Sequence, residues 1–307
     1  MQIHTYAFQY KHLFIIPYPL SCWESGGFNL YTVPTSMGAN FVISSRIRDN
    51  QGMKLTLLIL LFSVPPFLHA GEVKVAVAAN FLNTLHVLAP LFEQQSGHRL
   101  LISAGSTGKL YAQLHHGAPY DVFLAADDKH PALLEKEGLV MPGRRITYAL
   151  GRLVLWSGHS MPLKPSEEGG AQILQQSGIR HVAIANPATA PYGRAAYQAL
   201  NAMELWHTLK SRIVRGEDVG QVLQFVASGN AQLGFVALAQ IRNQSRNPKN
   251  TFSGDYWRVP EKFYDPIVQD LVLLKKAENN SAAHAFVAFM QTVQARALIQ
   301  TSGYGVK

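Results

Sequence analysis

Cysteine is almost absent from this sequence of 307 residues, which contains only Cys22. A single thiol cannot close a disulfide within the chain, so disulfides play no part in the fold. The length is sufficient for one or two domains with sizeable cores. The sequence therefore excludes a small disulfide-linked scaffold.

Clustered positive charge is also missing, although the chain carries 27 Lys and Arg residues against 19 Asp and Glu, a formal net charge of +8. The basic residues are scattered, and no run of them is interleaved with aromatic residues as in a nucleic-acid-binding surface. The pattern is typical of a solvated basic surface. We therefore expect no nucleic acid among the partners.

Motifs of the common enzyme classes are missing as well. No serine lies in a G-x-S-x-G elbow, and adjacent residues such as His115 and His116 diverge on a helix rather than meeting at one metal ion. Gly108 and Lys109 resemble the end of a P-loop. However, Ser103 stands at the position of its first glycine, and the magnesium-holding hydroxyl residue is replaced by a leucine. These departures exclude a nucleotide site.

The amino-terminal part has an unusual organisation. Residues 1–52 show no sustained helical or strand period, and we expect them to be disordered. Met53 is followed by a lysine, an apolar run at residues 55–68 and a small residue, Ala70. This order is typical of a secretory signal peptide. We therefore predict that translation starts at Met53 after an upstream over-reading, that residues 53–70 are a signal peptide, and that the protein is periplasmic.

Two alternatives for this part of the chain stay open. The apolar run at residues 55–68 could be an internal anchor of a longer protein. Cys22 could also carry a lipid, although the preceding Pro-Leu-Ser makes a poor lipidation motif. Sequencing the amino terminus of the exported protein distinguishes these possibilities, because the signal-peptide hypothesis requires a start at Met53.

The stretch LISAGSTGKLYAQL at residues 101–114 carries the first functional signal. Aliphatic residues predict a buried strand, small polar residues predict a turn, and helical spacing returns from Lys109 onwards. The first turn of a helix has unpaired backbone N–H groups and a partial positive charge, so Ser106 and Thr107 at that position suit an anion. Either hydroxyl could instead simply cap its own helix.

The same arrangement recurs along the chain. Residues 73–79 and 120–126 are predicted strands, and Asn80 after the first of them is the predicted N-cap of a helix. Residues 186–193, NPATAPYG, follow another strand and enter a helix, and Val219 begins a further helix. Strands that alternate with helices indicate an α/β fold with a parallel sheet and ligands at the carboxyl ends of its strands.

Two crossings divide this α/β chain into two lobes. The chain passes from one lobe to the other near residues 148–153 and returns near residues 264–268, which predicts a hinge and a cleft. We predict lobe I at residues 71–150 plus 268–307 and lobe II at residues 151–267. Two local expectations complete the prediction: an irregular polar stretch at residues 240–256 and one amphipathic helix at residues 282–299.

Six stretches together resemble the periplasmic molybdate-binding proteins of ABC transporters. They are VAVAAN at 75–80, GSTGKLYAQL at 105–114, GAPYDVFLAAD at 117–127, YALGRL at 148–153, NPATAPYG at 186–193 and GEDV at 216–219. The resemblance covers nearly all of residues 73–307. It implies a two-lobed type II periplasmic binding protein, each lobe a sheet flanked by helices, with the ligand cleft at the hinge.

The resemblance also implies the ligand and the partners. The ligand is molybdate or tungstate, bound without enzymatic conversion, without a cofactor and without a protein-coordinated cation. The partner is the membrane permease of an ABC transporter, and the protein is expected to be a monomer. Five positions match the family's oxyanion-binding residues: Asn80, Ser106, Thr107, Tyr192 and Val219, the last two through backbone N–H groups.

One departure from the family concerns a buried tyrosine. Many members place a tyrosine after the strand that here reads Gly-Phe-Val, where this chain has Ala237. The missing phenolic hydrogen bond could be replaced by Asn80 or by Tyr192.

Physical reasoning on the residues leads to a compatible site. Four helix beginnings, at Asn80, Ser106, Tyr192 and Val219, can each offer about half a positive charge, which suits a dianion. A fully ionised tetrahedral oxyanion needs only hydrogen-bond donors, whereas protonated phosphate also needs an acceptor. Asp218 could supply such an acceptor, but we interpret it as the cap of its own helix.

Three other functions stay open at this stage. The protein could be a receptor for sulfate or another tetrahedral oxyanion. An exported ester hydrolase would use Ser106 as its nucleophile, but the sequence shows no histidine partner for it. A cytoplasmic oxyanion sensor is disfavoured by the signal peptide and by the lack of a DNA-binding segment.

Overall fold

A computed structural model describes residues 29–34, 40–45, 70–158, 169–176, 178–244 and 254–306. The chain divides into two compact units, Met1–Phe67 and Leu68–Lys307. In the first unit, strands β1 (Asn29–Pro34) and β2 (Asn40–Ser45) pair antiparallel. The expectation of disorder throughout residues 1–52 is therefore wrong for these strands. The predicted signal peptide lies outside the described residues except for Ala70.

The second unit contains the remaining elements. Its strands are β3 Glu72–Ala78, β4 Arg99–Gly105, β5 Val122–Leu124, β6 Val140–Gly151, β7 Leu153–Ser157, β8 Val182–Ala185, β9 Ile213–Gly216, β10 Leu233–Ala237, β11 Tyr256–Arg258 and β12 Ile267–Leu274. Its helices are α1 Leu82–Ser96, α2 Thr107–His115, α3 Lys129–Lys136, α4 Gly169–Leu174, α5 Pro191–Ala202, α6 Trp206–Leu209, α7 Val219–Ala227, α8 Leu238–Gln244, α9 Ser281–Phe289 and α10 Val293–Thr301. Short 3-10 turns lie at Lys210–Arg212, Glu261–Phe263 and Lys275–Ala277.

Lobe I is a five-stranded sheet of order β4-β3-β5-β12-β6 with helices on both faces. Successive residues of β3 point to opposite faces, so Val75 joins the core under α1, α9 and α10, and Ala76 joins the core under α2 and α3. Both residues are fully buried, which explains why β3 has no polar face in its central part.

Lobe II is a second five-stranded sheet, of order β11-β7-β10-β8-β9. Its core contains Trp156 of β7 and Phe235 of β10, packed with Leu200 of α5 and Val222 of α7. Strands β8, β9 and β10 run parallel, whereas β7 is antiparallel to both of its neighbours, β10 and β11. In lobe I, β12 is likewise antiparallel to its neighbours. Both sheets are mixed, so the expectation of a purely parallel sheet is wrong at the strands that cross between lobes.

The two crossings lie side by side. The first passes from Gly151 at the end of β6 to Leu153 at the start of β7, and the second returns to Ile267 at the start of β12. Ile267 pairs with Gly151 in the lobe I sheet. The Leu153 backbone N–H donates a hydrogen bond to the Tyr264 hydroxyl at 3.3 Å, which ties the two connections together.

Two local expectations are wrong. The stretch predicted as irregular begins with helix α8, whose Ala239 is buried in the core of lobe I. The predicted single terminal helix is broken into α9 and α10. The break is at Thr292, whose hydroxyl accepts from the Ala295 N–H at 3.2 Å and donates to the Phe289 carbonyl at 2.8 Å, so it ends one helix and caps the next. Within the part of the chain that is described, no helix combines the length and apolar character needed to span a membrane.

Candidate anion-binding site between the lobes

Four chain segments meet where the two lobes face each other. Residues 79–80 follow β3, residues 106–108 follow β4, residues 186–192 follow β8, and residues 217–219 follow β9. All four strands run parallel to a neighbour, and each segment leads into a helix. The carboxyl ends of parallel strands are the usual location of ligand sites in α/β sheets.

Backbone hydrogen bonds join these segments within each lobe. In lobe I, the Ala79 N–H donates to the Gly105 carbonyl at 2.9 Å. In lobe II, the Asn186 N–H donates to the Gly216 carbonyl at 2.8 Å. Each lobe therefore brings two helix beginnings together.

Two contacts join the lobes to each other at the same place. The Gly108 N–H in α2 donates to the Thr189 carbonyl in lobe II at 2.8 Å. At the other side, a methyl group built on Gly220 of α7 would lie 3.6 Å from the Ala79 Cβ in lobe I. The four segments thus form a closed ring, and the structure has its lobes together.

Ser106 has the geometry expected of an anion ligand. It is the N-cap of α2, with an extended backbone (φ −71°, ψ 145°), yet its side chain makes no capping hydrogen bond. The Ser106 Oγ is buried and has no hydrogen-bond partner among the described residues. The simple capping interpretation is therefore wrong, and this hydroxyl has a hydrogen to donate inside the ring.

Thr107 is buried beside it as the first residue of α2. Its Oγ1 accepts a hydrogen bond from the Ala126 N–H at 3.0 Å. A hydroxyl that accepts one hydrogen bond still has its own hydrogen to donate. Thr107 is fixed by lobe I without losing its donor.

Asn80 does not have its predicted capping role. The N-cap of α1 is Phe81, and Asn80 is 1% exposed in the preceding turn. The Asn80 Nδ2 donates to the Gln269 Oε1 at 2.9 Å and to the Tyr304 hydroxyl at 3.0 Å. Both amide hydrogens are therefore used within lobe I, and any contact with an anion must use the Asn80 backbone N–H.

Gln269 is the centre of this buried network, and no sequence motif indicated it. Its Oε1 also accepts from the Tyr148 hydroxyl at 3.2 Å, and its Nε2 donates to the Tyr192 hydroxyl at 3.3 Å. Tyr192 belongs to lobe II, so Gln269 connects the lobes beneath the ring. Burial raises the pKa values of the Tyr148 and Tyr192 phenols well above the ordinary value of a tyrosine. Both phenols are neutral at physiological pH and add no negative charge near an anion.

Tyr192 and Val219 lie near the beginnings of α5 and α7, as predicted. The N-cap of α5 is Ala190, which has no side-chain cap, and the first helical residue is Pro191, which has no N–H. In α7, the Asp218 Oδ1 accepts from the Gly220 and Gln221 N–H groups at 2.8 and 3.0 Å. The interpretation of Asp218 as a cap is confirmed. Because the cap uses later amides, the Val219 N–H is not among its donors.

Ala237, which stands at the position of the family's tyrosine, is linked to the start of α7. Ala237 is fully buried, and its N–H donates to the Gln240 Oε1 at 3.1 Å. The Gln240 Nε2 in turn donates to the Val219 carbonyl at 3.3 Å. The side chains of Asn80 and Tyr192 both bond to Gln269 instead. Gln240, three residues after Ala237, therefore connects the end of β10 to the start of α7.

Cationic side chains stand beside the ring and are each paired with a carboxylate. The Arg194 Nη2 lies 3.6 Å from the Asp127 Oδ2 across the lobes, and Asp127 also contacts the His130 Nδ1 at 2.8 Å. Arg194 thus pairs with a carboxylate of the other lobe. Lys109 pairs with Glu217. Within the described residues, no group of three or more His, Cys, Asp or Glu side chains could hold a metal ion.

Two α/β lobes joined by two crossings, with uncharged donors of both lobes gathered at one ring, define a two-lobed binding protein. Residues 73–305 match the family model described as bacterial extracellular solute-binding protein, and the chain belongs to this family. The family is one of solute-binding transport proteins rather than enzymes, so the hydrolase alternative falls.

Curated relatives and a solved structure show which members of this family the chain is similar to. The molybdate-binding protein ModA of Azotobacter vinelandii is 45% identical over 238 residues, 78% of this chain and 91% of the relative. The Rhodobacter capsulatus protein of the same name is 39% identical over 235 residues, 76% and 88% of the two chains. The solved periplasmic molybdate-binding protein of Azotobacter vinelandii matches with a TM-score of 0.70 and 43% identity, over 77% of this chain and all of that one. The resemblance stated from the sequence motifs is confirmed.

Proposed function

We propose that the protein captures molybdate in the periplasm and delivers it to the membrane permease of an ABC transporter. The observation that carries the proposal is the buried Ser106 hydroxyl, unpartnered among the described residues, inside a ring of helix beginnings from both lobes. The similarity to two molybdate-binding relatives supports the same ligand.

The ring suits a dianion energetically. Each helix beginning offers about half a positive charge, so those of α1, α2, α5 and α7 together match two negative charges. A hydrogen bond to a charged group contributes about 1.5 to 3 kcal/mol. Five to seven such donors would reach micromolar affinity, about 8 kcal/mol, after the costs of ordering.

Selectivity against phosphate follows from the shortage of acceptors. Protonated phosphate carries a hydrogen that needs an acceptor, whereas molybdate at neutral pH is fully ionised and needs only donors. The candidate acceptor at the start of α7 is the Asp218 carboxylate, whose Oδ1 is engaged in capping the helix through two backbone N–H groups. Size then separates molybdate and tungstate from the smaller sulfate, and we include tungstate as a second ligand.

Binding is coupled to closure because the donors belong to both lobes. Ser106 and Thr107 lie in lobe I, and Tyr192 and Val219 lie in lobe II. An anion can bond to all of them only when the lobes are together, so it shifts the population towards the closed form. The permease would recognise that closed form.

Calorimetry with molybdate, tungstate, sulfate and phosphate tests the proposal. We expect strong heats for molybdate and tungstate, weaker binding of sulfate and none of phosphate. Equal affinity for sulfate and molybdate would overturn the assignment of the ligand. A Ser106→Ala variant with unchanged molybdate affinity would overturn the assignment of the site.

Export and monomeric state belong to the same proposal. A signal peptide at residues 53–70 would direct the protein to the periplasm, where one copy binds one anion. Amino-terminal sequencing of the exported protein should find the chain beginning after Ala70, and sedimentation should give the mass of a single chain. Residues from before Met53 in the exported protein would contradict the assigned start.

A further inference from the structure

We propose that Gly108 and Lys109, the two residues that resemble the end of a P-loop, form a clasp that holds α2 of lobe I against lobe II. The clasp comprises the Gly108 contact with Thr189 and the Lys109 contact with Glu217. It positions the donors of the ring in the closed form. This inference rests on the proposed function, because its effect is measured through the affinity for molybdate.

The first part of the clasp is a close backbone contact at a glycine. The Gly108 N–H donates to the Thr189 carbonyl at 2.8 Å. A methyl group at Gly108 would lie 3.0 Å from the Thr189 carbonyl oxygen and 3.1 Å from the Thr189 Cα. These are mostly backbone atoms that cannot rotate away, so a methyl group here requires the two segments to shift apart by a few tenths of an ångström. We infer that a larger side chain separates the lobes further.

Local helix geometry does not explain the glycine. Gly108 is the second residue of α2, and it is not among the glycines with a positive φ. Alanine has a higher helix propensity than glycine at such a position. If Gly108 had no contact across the lobes, an alanine there would therefore be neutral or favourable.

The second part of the clasp is an ion pair one residue further along α2. The Lys109 Nζ pairs with the Glu217 carboxylate, which lies between β9 and the Asp218 cap of α7. The pair is exposed, so salt will screen it. It joins α2 to the start of α7, whereas Gly108 joins α2 to the segment before α5. Together, the two contacts connect one helix of lobe I to both anion-facing helices of lobe II.

The clasp acts on affinity through the fraction of closed protein. The apparent dissociation constant equals the intrinsic one divided by the closed fraction. A change that favours the open form weakens binding by the same factor, even when every residue of the anion site is intact. Gly108 and Lys109 are therefore positioning residues rather than ligands.

The variants Gly108→Ala and Gly108→Leu test the first contact, with Gly105→Ala as the matched control. A methyl group at Gly105 would meet only the Leu110 side chain, at 3.6 Å, and nothing of lobe II. Calorimetry should give a dissociation constant for molybdate that rises from wild type to Ala to Leu, by roughly tenfold or more for Leu, with little change for the control. Small-angle scattering with molybdate should show a larger radius of gyration for the Leu variant than for wild type. The unfolding temperature without ligand should not fall.

Charge variants test the second contact. Whether Glu217→Lys strengthens or weakens molybdate binding distinguishes the clasp from a general electrostatic attraction of the anion. Glu217→Lys replaces a negative by a positive charge near the anion site. Without a clasp it would strengthen anion binding, whereas the clasp predicts weaker binding because Lys109 then faces a lysine. Lys109→Glu combined with Glu217→Lys should restore most of the affinity.

The outcomes distinguish the two proposals. If wild type gives no heat with molybdate, the proposed function fails. If wild type binds and both Gly108 variants bind equally well, the clasp alone is overturned. Tighter binding by Glu217→Lys would overturn the ion-pair part of it.

Discussion

Ser106 places a hydroxyl in a buried position where the described protein atoms give it no partner. A buried polar group without a partner costs free energy, so its retention at the beginning of α2 points to a partner supplied by the ligand. Ser302 is a second buried serine of the same kind, outside the four segments of the ring, as the C-cap of α10. The two serines provide a matched comparison at the scale of one atom.

We predict that Ser106→Ala weakens molybdate binding by about 1.5 to 3 kcal/mol, roughly ten- to hundredfold, because one hydrogen bond to a charged ligand is lost. The stability of the unliganded protein should not decrease. Calorimetry and thermal unfolding measure the two effects. Ser302→Ala should leave the affinity unchanged, and an equal loss in both variants would contradict the role of Ser106.

Asp270 provides a prediction on pH. Burial raises the pKa of this carboxyl above its ordinary value, although the hydrogen bond from Thr147 and the charge of Arg145 act in the opposite direction. A folded-state pKa above the unfolded one means that stability falls as the pH rises through it. Asp270→Asn should keep the Thr147 hydrogen bond and remove this loss.

The expected result is that the stability advantage of Asp270→Asn over wild type grows as the pH rises from the acidic range to neutrality. Denaturant unfolding at several pH values measures the difference. The exposed Asp265, replaced by Asn in the same way, should show little change. A stability advantage that is greatest at acidic pH would contradict a raised pKa of Asp270 in the folded protein.

Single residues differed in how far the sequence could assign them. The positions of Ser106 and Asp218 at helix beginnings could be predicted, because helix beginnings are local features. The Asn80 side chain could not be assigned, because its partner Gln269 lies 189 residues away. Gly108 and Lys109 were recognised only as a false nucleotide motif, since their partners belong to the other lobe.

At the scale of elements, helix α7 combines an acidic cap with an end that we propose to bind the anion. We predict that Asp218→Ala destabilises the protein by about 1 kcal/mol, because it removes the cap of the Gly220 and Gln221 N–H groups. Asp218→Asn should keep most of the stability, since asparagine is an equally good cap. It should also bind molybdate more tightly than wild type, because a negative charge beside Val219 is removed. Thermal unfolding and calorimetry of both variants check this, and an equal stability loss in the two would contradict the cap.

Element prediction succeeded where the pattern was local and failed where tertiary contacts decide. The strand predicted at residues 73–79 is present as β3 at Glu72–Ala78, because an apolar run that ends in a turn is a local signal. The terminal helix was predicted as one piece because its apolar period continues across Thr292. Helix α8 was missed because polar residues follow it, and its burial depends on the cores of both lobes, which contain Leu238 and Ala239.

At the scale of the whole molecule, ligand binding and stability are linked. Molybdate at about 100 times its dissociation constant should raise the free energy of unfolding by about 2.7 kcal/mol, provided that only the folded form binds it. Thermal unfolding over a series of molybdate concentrations measures this rise. Gly108→Leu should show a smaller rise at the same concentration. An unfolding temperature independent of molybdate would contradict a site that uses both lobes.

The paired crossings have a mechanical consequence. Gly151 and Ile267 are adjacent partners in one sheet, so the chain passes between lobes through two neighbouring tethers rather than one. Two adjacent connections permit rotation about a hinge and resist shear, so we expect the lobes to have one main rotational degree of freedom. A larger oxyanion would then leave the lobes incompletely closed by a small angle, rather than displacing one lobe sideways along the other. The membrane permease would then distinguish ligands of different size by the closure angle between the two lobes.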